Sequence, residues 1–245
     1  MVDTHNHILF DIDDGCRNIE ESIVLLKQME ELGFRKIILT PHYINGTKYT
    51  INNLEKEYKL NLLKEKLKEN KINIELYLGN EIFITDNIVE LLRINVVSSI
   101  NKGRYILIEL PFENEIIGLS DILYELRYNN LIPIIVHPER YTYFQDDTKK
   151  IEFLREEGVL FQCNYSSILG FYGNKAKRVM KYLLKNGYVD FLGTDIHRIT
   201  NTDVLDNFKK IEKKIIKIIG DEEFEKIIKN SENIINNKDI QISKF

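Results

Sequence analysis

The first fifteen residues, MVDTHNHILFDIDDG (1–15), decide how the rest of the chain is interpreted. Residues 2–4 are predicted to form a short strand, and His5 and His7 follow it with one residue between them. Residues two apart in an extended chain point to the same side, so both imidazoles can face one divalent metal ion. A carboxylate-rich turn at 11–15 adds oxygen donors. Donors of both kinds at a strand end indicate a metal site, although an isolated HxH pair fits surface histidines equally well.

Length and composition predict one domain, residues 1–245, since α/β barrels of this size commonly fold as one unit. The formal net charge is −4 and no polybasic cluster stands out, so neither a nucleic acid nor a membrane surface is an expected partner. No signal-peptide pattern or bilayer-length apolar run is found, so no membrane insertion is expected. Cys16 and Cys163 form no disulfide or metal-binding pattern, which favours a reducing cytoplasm. Composition does not predict the oligomeric state.

Apolar strands alternate with helical patterns seven times along the chain. Such alternation is typical of a parallel sheet that is covered on both faces. Seven units favour an α/β fold of the distorted seven-stranded (β/α) barrel type, with an open doubly wound sheet as the alternative. The chain lacks the glycine-rich phosphate loop of the dinucleotide type that would favour the open sheet. The predicted strands cover residues 2–4, 36–40, 74–78, 105–109, 132–136, 159–163 and 189–192.

Periodicity also predicts the helices between these strands. A helix over about 202–219 and a shorter one over 221–229 are predicted to close the chain. A long charged helix is predicted over 53–70, with its buried side formed by Leu54, Tyr58, Leu62 and Leu67.

All five histidines lie at or just past the carboxyl end of a predicted strand, and three carboxylates occupy the same position. In an α/β barrel these positions converge on one face, where active sites are built. One zinc or manganese ion takes three or four protein ligands, so this many donors suits two or three ions. Imidazole and carboxylate donors without thiolates favour manganese, iron or zinc. The eight residues are His5, His7, His42, Glu81, Glu109, His137, Asp195 and His197.

In combination, the motifs are similar to those of a known family. The order HxH…IDDG…TPH…GxE…LIE…HPER…TDxH, from residue 1 to about residue 197, resembles the polymerase-and-histidinol-phosphatase (PHP) superfamily of metal-dependent phosphoesterases. The segments MVDTHNHILFDIDDG, TPHYINGTKY, ILIELPF and IVHPERY resemble its bacterial manganese-dependent protein-tyrosine-phosphatase branch. Members of that branch are associated with capsule and exopolysaccharide operons, where they oppose a bacterial tyrosine kinase. No single motif is specific, but the combination is.

The resemblance implies three divalent metal ions, with manganese favoured and iron or zinc as alternatives. Glu81 would bridge the first two ions, and Asp13 competes with Asp14 as a ligand of the third. The implied ligand sets are His5, His7, Glu81 and Asp195 for the first ion, Glu81, Glu109 and His137 for the second, and Asp14, His42 and His197 for the third.

Two arginines are implied to act on the substrate. Arg140 of the HPER motif matches a family arginine and would pair with the substrate phosphate rather than act on the metals, because guanidinium offers a planar fork to phosphate oxygens. The family usually carries a further arginine, in a loop with a proline, after the final DxH motif. This chain has no such element, and Arg198 is the candidate to replace it.

The implied reaction is hydrolysis of protein phosphotyrosine by a metal-activated water. A cysteine-based tyrosine phosphatase needs an arginine six residues after its cysteine, and Ser22 and Leu169 occupy those positions instead. The expected partner is a phosphotyrosine protein, namely a bacterial tyrosine kinase. Three alternatives stay open: a PHP histidinol-phosphate phosphatase, an amidohydrolase barrel, and an inactive binding module that kept the fold.

Overall fold

Parallel β-strands form the centre of the structure, a computed structural model that describes residues 1–242. Every strand pairing within this part of the chain is parallel, as expected where helices connect successive strands. The strands are β1 (Val2–Asp3), β2 (Lys36–Leu39), β3 (His42–Tyr43), β4 (Glu75–Leu78), β5 (Glu81–Phe83), β6 (Tyr105–Glu109), β7 (Ile132–Val136), β8 (Leu160–Asn164) and β9 (Phe191–Gly193).

The strands are arranged in two sheets. Six of them, in the order β3-β5-β6-β7-β8-β9, form a curled half-barrel, and β1-β2-β4 form a smaller sheet. An isolated parallel bridge between Asn6 and Ile196 connects the segment after β1 with the segment after β9. The sequence predicts seven strands, whereas the described residues form nine, because a short strand that was not predicted follows each of the predicted strands 36–40 and 74–78. Pro41 separates β2 from β3, since proline has no N–H to donate to a sheet, and Gly79-Asn80 separates β4 from β5.

Helices connect the strands and cover the sheets. Helix α1 begins after Asn18, whose side chain accepts a hydrogen bond from the Glu21 amide at 2.9 Å, as the capping pattern predicts. The predicted helix over 202–219 is divided at Asn207, and the last helix extends to Ile235 rather than 229. No helix within residues 1–242 combines the length and apolar character needed to cross a bilayer. The helices are α1 (Ile19–Glu31), α2 (Asn53–Glu69), α3 (Ile88–Arg93), α4 (Leu119–Tyr128), α5 (Thr142–Asp146), α6 (Lys149–Glu156), α7 (Gly173–Lys185), α8 (Asp203–Asp206), α9 (Phe208–Ile219) and α10 (Asp221–Ile235).

Alternation along the strands explains where the polar residues are found. In β6, Ile106 and Ile108 belong to the hydrophobic cluster between sheet and helices, while Tyr105 and Leu107 belong to a second cluster on the opposite face. Glu109 follows on that second face, because side chains two apart point the same way. The same face is therefore apolar near the amino ends of the strands and polar at their carboxyl ends.

Helix α2 buries only part of the side that periodicity predicts, since Leu67 is buried as expected but the first two turns differ. Leu54 and Tyr58 are 74% and 64% exposed, whereas Lys56 and Lys59 are buried. Lys56 Nζ donates to Asn80 Oδ1, and Lys59 Nζ donates to the carbonyl and carboxylate oxygens of Asp11. The prediction was wrong for Leu54 and Tyr58, because buried lysines are tolerated where partners from distant segments accept their hydrogen bonds.

Replacing Lys56 by methionine is expected to change how stability depends on pH. Burial lowers the pKa of Lys56 from 10.5 to about 7. Between these values the unfolded chain binds a proton that the folded chain does not, so the free energy of unfolding should rise with pH in this window. Thermal unfolding from pH 6 to about pH 10.5 should show a shallower rise for Lys56→Met than for wild type. The exposed control Lys64→Met should keep the wild-type slope; equal slopes for all three proteins would contradict the assignment.

Candidate metal centre

Glu81, the first residue of β5, lies at the centre of a buried cluster of imidazoles. Its Oε2 lies 3.2 Å from Nε2 of both His5 and His7 and 2.9 Å from Nδ1 of His42. Its Oε1 lies 3.0 Å from Nε2 of His137. Four histidines from three separate segments therefore share one carboxylate, the arrangement expected of a ligand that bridges metal ions.

Two further carboxylates lie around this centre. Asp195 Oδ1 lies 3.6 Å from both His7 Nε2 and His197 Nδ1. Glu109 lies on the other side, 3.8 Å from His42 Nδ1 and from His137 Nε2. All eight strand-end residues singled out in the sequence are thus brought to one place.

The acidic turn supplies two aspartates with different surroundings. Asp14 Oδ1 faces the cluster, 3.6 Å from His42 Nε2 and 3.7 Å from His197 Nε2. Asp13 instead accepts hydrogen bonds from His7 Nδ1 at 2.7 Å and from the His42 amide at 2.9 Å. A Cβ on Gly15 would lie 1.9 Å from the His7 carbonyl oxygen, so only glycine fits at the end of this turn. The geometry favours Asp14 as the ligand and Asp13 as the group that orients His7.

Hydrogen bonds on the far side of the rings indicate which imidazole nitrogen is free. His5 Nδ1 donates to Gln162 Oε1 at 2.7 Å, His7 Nδ1 to Asp13, and His197 Nδ1 to the Asp195 carbonyl at 2.9 Å. A proton held on Nδ1 leaves the Nε2 lone pair free to bind a cation, as in many metal sites.

The donor atoms form three groups, each of which could hold an ion. These groups share more residues with one another than the implied ligand sets do. His7 lies with the third group as well as the first, and His42 also lies with Glu81 and Glu109. Asp195 and His137 lie beside these groups, without belonging to one. The groups are His5, His7 and Glu81; His42, Glu81 and Glu109; and His7, Asp14, His42 and His197.

Protonation in the cluster shows how strongly its charges interact. Burial and the charge of Glu81 raise the pKa of Glu109 to about 8. Burial lowers the pKa of His5, but the charges of Glu81 and Asp195 outweigh burial and raise it to about 9. Burial together with the charge of Arg140 lowers the pKa of His137 to about 4. Protons on Glu109 and His5 thus compensate the crowded charges, and a bound cation would replace them by stabilising the charged carboxylate and the neutral imidazole.

Several buried polar atoms of the cluster lack a hydrogen-bond partner. Glu81 Oε2 and His42 Nδ1 lie 2.9 Å apart but form no hydrogen bond, and both, like Asp14 Oδ1, are among the described side-chain atoms with no such partner. Buried polar atoms in native proteins nearly always have a partner, and bound ions are a common explanation for exceptions. The donor set, imidazole nitrogen with carboxylate oxygen, fits divalent manganese, iron or zinc.

Backbone conformation at two of these residues is unusual. His137 has φ of 35° and Asp195 has φ of 53°, both in the left-handed region that residues other than glycine rarely adopt. Each such residue costs on the order of 1–3 kcal/mol and is found mainly at functional sites. The chain therefore maintains a strained backbone where two proposed ligands enter the cluster.

Arg140 lies at the edge of the cluster, but it contacts one of the proposed ligands directly. Its Nη1 donates to Asp195 Oδ2 at 2.8 Å. Its guanidinium lies between the rings of Phe112 and Tyr172, with centroids 4.8 and 4.4 Å from Cζ. This contact with Asp195 was not predicted, because the two residues are 55 positions apart in the chain. Arg198 Nε donates to the Asp14 carbonyl at 2.8 Å, which ties it to the acidic turn.

Three site residues were not singled out by the sequence. Gln162 orients His5, while Asn164 Nδ2 donates to Asp195 Oδ2 at 2.7 Å and Tyr172 OH lies 3.4 Å from the same oxygen. Gln162 and Asn164 share one face of β8, and a polar pair at alternate positions of a buried strand was the signal that could have found them.

A parallel α/β fold whose strand ends bring imidazoles and carboxylates around a shared glutamate defines a protein with a candidate multinuclear metal centre. Residues 1–236 match the family described as capsular polysaccharide synthesis, CpsB/CapC. The chain belongs to this family.

Similar proteins cover nearly the whole chain. CapC of Staphylococcus aureus is 36% identical over 241 residues, which are 98% of this chain and 93% of CapC. The tyrosine-protein phosphatase CpsB of Streptococcus agalactiae is 27% identical over 244 residues, 97% of this chain and 99% of the relative. A solved structure from work on YwqE of Bacillus subtilis and CpsB of Streptococcus pneumoniae, described as unique metal-dependent tyrosine phosphatases, has a TM-score of 0.90. Its sequence identity is 26%, and the match covers 99% of this chain and 97% of that one.

Proposed function

We propose that this protein is a metal-dependent phosphatase that hydrolyses protein phosphotyrosine. The observation that carries the proposal is the cluster centred on Glu81 with the Arg140 guanidinium at its edge. Membership of the CpsB/CapC family supports the reaction class. The natural substrate would be a bacterial tyrosine kinase of capsule or exopolysaccharide synthesis, and the site of action the cytoplasm.

The same proposal includes the cofactor and the architecture. Three divalent cations, with manganese favoured over iron or zinc, would be held by the eight strand-end residues and Asp14. Bound there, they would activate water and withdraw charge from the phosphoryl oxygens. The two sheets would together form one distorted seven-stranded barrel in a single domain. The bridge between Asn6 and Ile196 supports this arrangement, because it connects the two sheets.

The side chains of this protein would prepare the site for the phosphate. Gln162 and Asp13 keep protons on Nδ1 of His5 and His7, which directs both Nε2 atoms inward. The Arg140 guanidinium, held between Phe112 and Tyr172, offers a bidentate contact to phosphate oxygens. Arg198, tied to the acidic turn, would be the second arginine near the phosphate.

A substrate panel tests the proposal. We expect kcat/KM for a phosphotyrosine peptide and for p-nitrophenyl phosphate to exceed that for histidinol phosphate, with activity present in manganese and absent after chelation. Preference for histidinol phosphate would instead identify the related PHP phosphatase. Absence of hydrolysis by a metal-loaded protein would identify an inactive member of the family.

Neither cysteine is expected to take part in the reaction. Cys16 and Cys163 are 1% and 0% exposed, and burial raises the pKa of both thiols, of Cys16 to about 12. A buried neutral thiol is a poor nucleophile. The double variant Cys16→Ser/Cys163→Ser should therefore keep kcat within about threefold of wild type, with stability checked by thermal unfolding. Loss of turnover in a folded double variant would contradict the proposed mechanism.

A further inference from the structure

Basic residues are concentrated on two neighbouring helices outside the metal centre. Helices α7 and α9 together contain ten basic residues and one acidic residue, in a chain where acidic residues outnumber basic ones by 38 to 34. The sequence read in order does not reveal this patch, because α7 and α9 are separated by β9 and α8 and come together only in the fold.

Four of these side chains form a cluster that we call the lysine groove: Lys177, Lys181, Lys210 and Lys214. Helix α9, which carries Lys210 and Lys214, packs against α7, and burial together with the charges of the other three lysines lowers the pKa of Lys214. Within residues 1–242 none of the four forms a salt bridge, whereas Lys175 on the same helix pairs with Asp146 at 3.0 Å. Like charges held together without counter-charges destabilise a surface, and a bound anion would offset this repulsion.

The lysine groove is connected to the metal centre through residues 169–172. Lys177 Nζ donates to the Leu169 carbonyl at 3.4 Å, in the loop that continues to Tyr172 and its contact with Asp195. With a rise of 1.5 Å per residue, Lys177 and Lys181 lie about 6 and 12 Å along α7 from its first residue, Gly173. An open cavity with a volume of about 590 Å³ lies along the same helix, and Lys177 and Lys181 are among the residues that line it.

We propose that the lysine groove binds acidic residues of the substrate polypeptide. At roughly 3.5 Å per extended residue, these acidic residues would lie about three to six positions from the phosphotyrosine. This inference rests on the proposed function. A polypeptide fits better than a membrane, because neither α7 nor α9 exposes a large apolar side chain among the described residues. Helices that bind bilayers insert an apolar face.

The test compares two phosphotyrosine peptides of equal length, with glutamate or glutamine at the flanking positions. Wild type should hydrolyse the acidic peptide with about tenfold higher kcat/KM at about 10 mM salt, mainly through KM. The preference should disappear at about 1 M salt.

Lys181→Glu/Lys210→Glu should abolish the preference, whereas the control Lys64→Glu/Lys68→Glu on α2, with the same change in net charge, should retain it. Hydrolysis of p-nitrophenyl phosphate should be equal in all three proteins. Should the reversed-charge variant fail to fold, the milder Lys181→Gln/Lys210→Gln serves in its place.

The outcomes separate this inference from the proposed function. Equal hydrolysis of both peptides, or a preference that survives in the groove variant, would overturn the inference and leave the phosphatase intact. Failure of wild type to hydrolyse either peptide while it hydrolyses histidinol phosphate would overturn the proposed function itself. If wild type shows no peptide preference but sediments with phosphatidylserine vesicles and the groove variant does not, the surface binds lipid and the inference is wrong.

Discussion

Replacing Glu81 by glutamine is expected to reduce kcat/KM for a phosphotyrosine peptide by about a thousandfold or more, since several kcal/mol of barrier lowering depend on the bound metals. The two oxygens of Glu81 lie within 3.2 Å of four imidazole nitrogens, so removing its charge affects most of the donor set at once. Glutamine has nearly the same shape as glutamate, but it carries no charge and has an NH2 group in place of one carboxylate oxygen. Elemental analysis should show at least one metal ion lost per chain.

The control for this variant is Glu75→Gln, which removes a carboxylate from the exposed start of β4. Its activity and metal content should match wild type. Circular dichroism should confirm that Glu81→Gln is folded, so that lost activity reports on the site and not on unfolding. Full metal content and near-wild-type activity in Glu81→Gln would refute the bridging role.

Arg140→Ala is expected to lower kcat/KM by roughly 10- to 150-fold, since a charge-assisted contact to phosphate contributes about 1.5–3 kcal/mol. Metal content should stay full, because Arg140 supplies no ligand atom. Arg140→Lys should recover only part of the loss, as lysine lacks the planar fork and stacks less well between Phe112 and Tyr172.

The contact between Arg140 and Asp195 makes a structural role the competing explanation. If Arg140 only holds Asp195 in place, Arg140→Ala should empty the metal sites and Arg140→Lys should refill them. Arg127→Ala, which removes the ion pair between Arg127 of α4 and Glu157, the residue after α6, is the matched control and should leave kcat/KM unchanged. Measuring metal content beside kinetics separates the two roles.

The positions of the candidate ligands were predictable because they follow local rules. Strands such as β6 and β7 are continuous apolar segments, and Glu109 and His137 stand where those segments end. Parallel strands bring such ends together whatever the details of the loops. One sequence was therefore enough to predict the parallel α/β class and the convergence of the histidines.

Other features depend on partners that are distant in the chain and could not be predicted. The buried lysines of α2 are satisfied by Asn80 and by Asp11, which periodicity within the helix cannot reveal. The unpredicted strand β5 begins directly after Asn80, whose side chain donates to the Pro41 carbonyl and accepts from Lys56 Nζ. These contacts are tertiary, and they override the local pattern.

The most direct test of the central claim is a metal titration of the stripped protein, followed by hydrolysis of a phosphotyrosine peptide. We expect no activity after chelation and full recovery as manganese fills the sites around Glu81, at about two to three ions per chain given the number of donors. Full activity of the stripped protein would contradict the account. So would a protein that fills its sites with manganese and still does not hydrolyse the peptide.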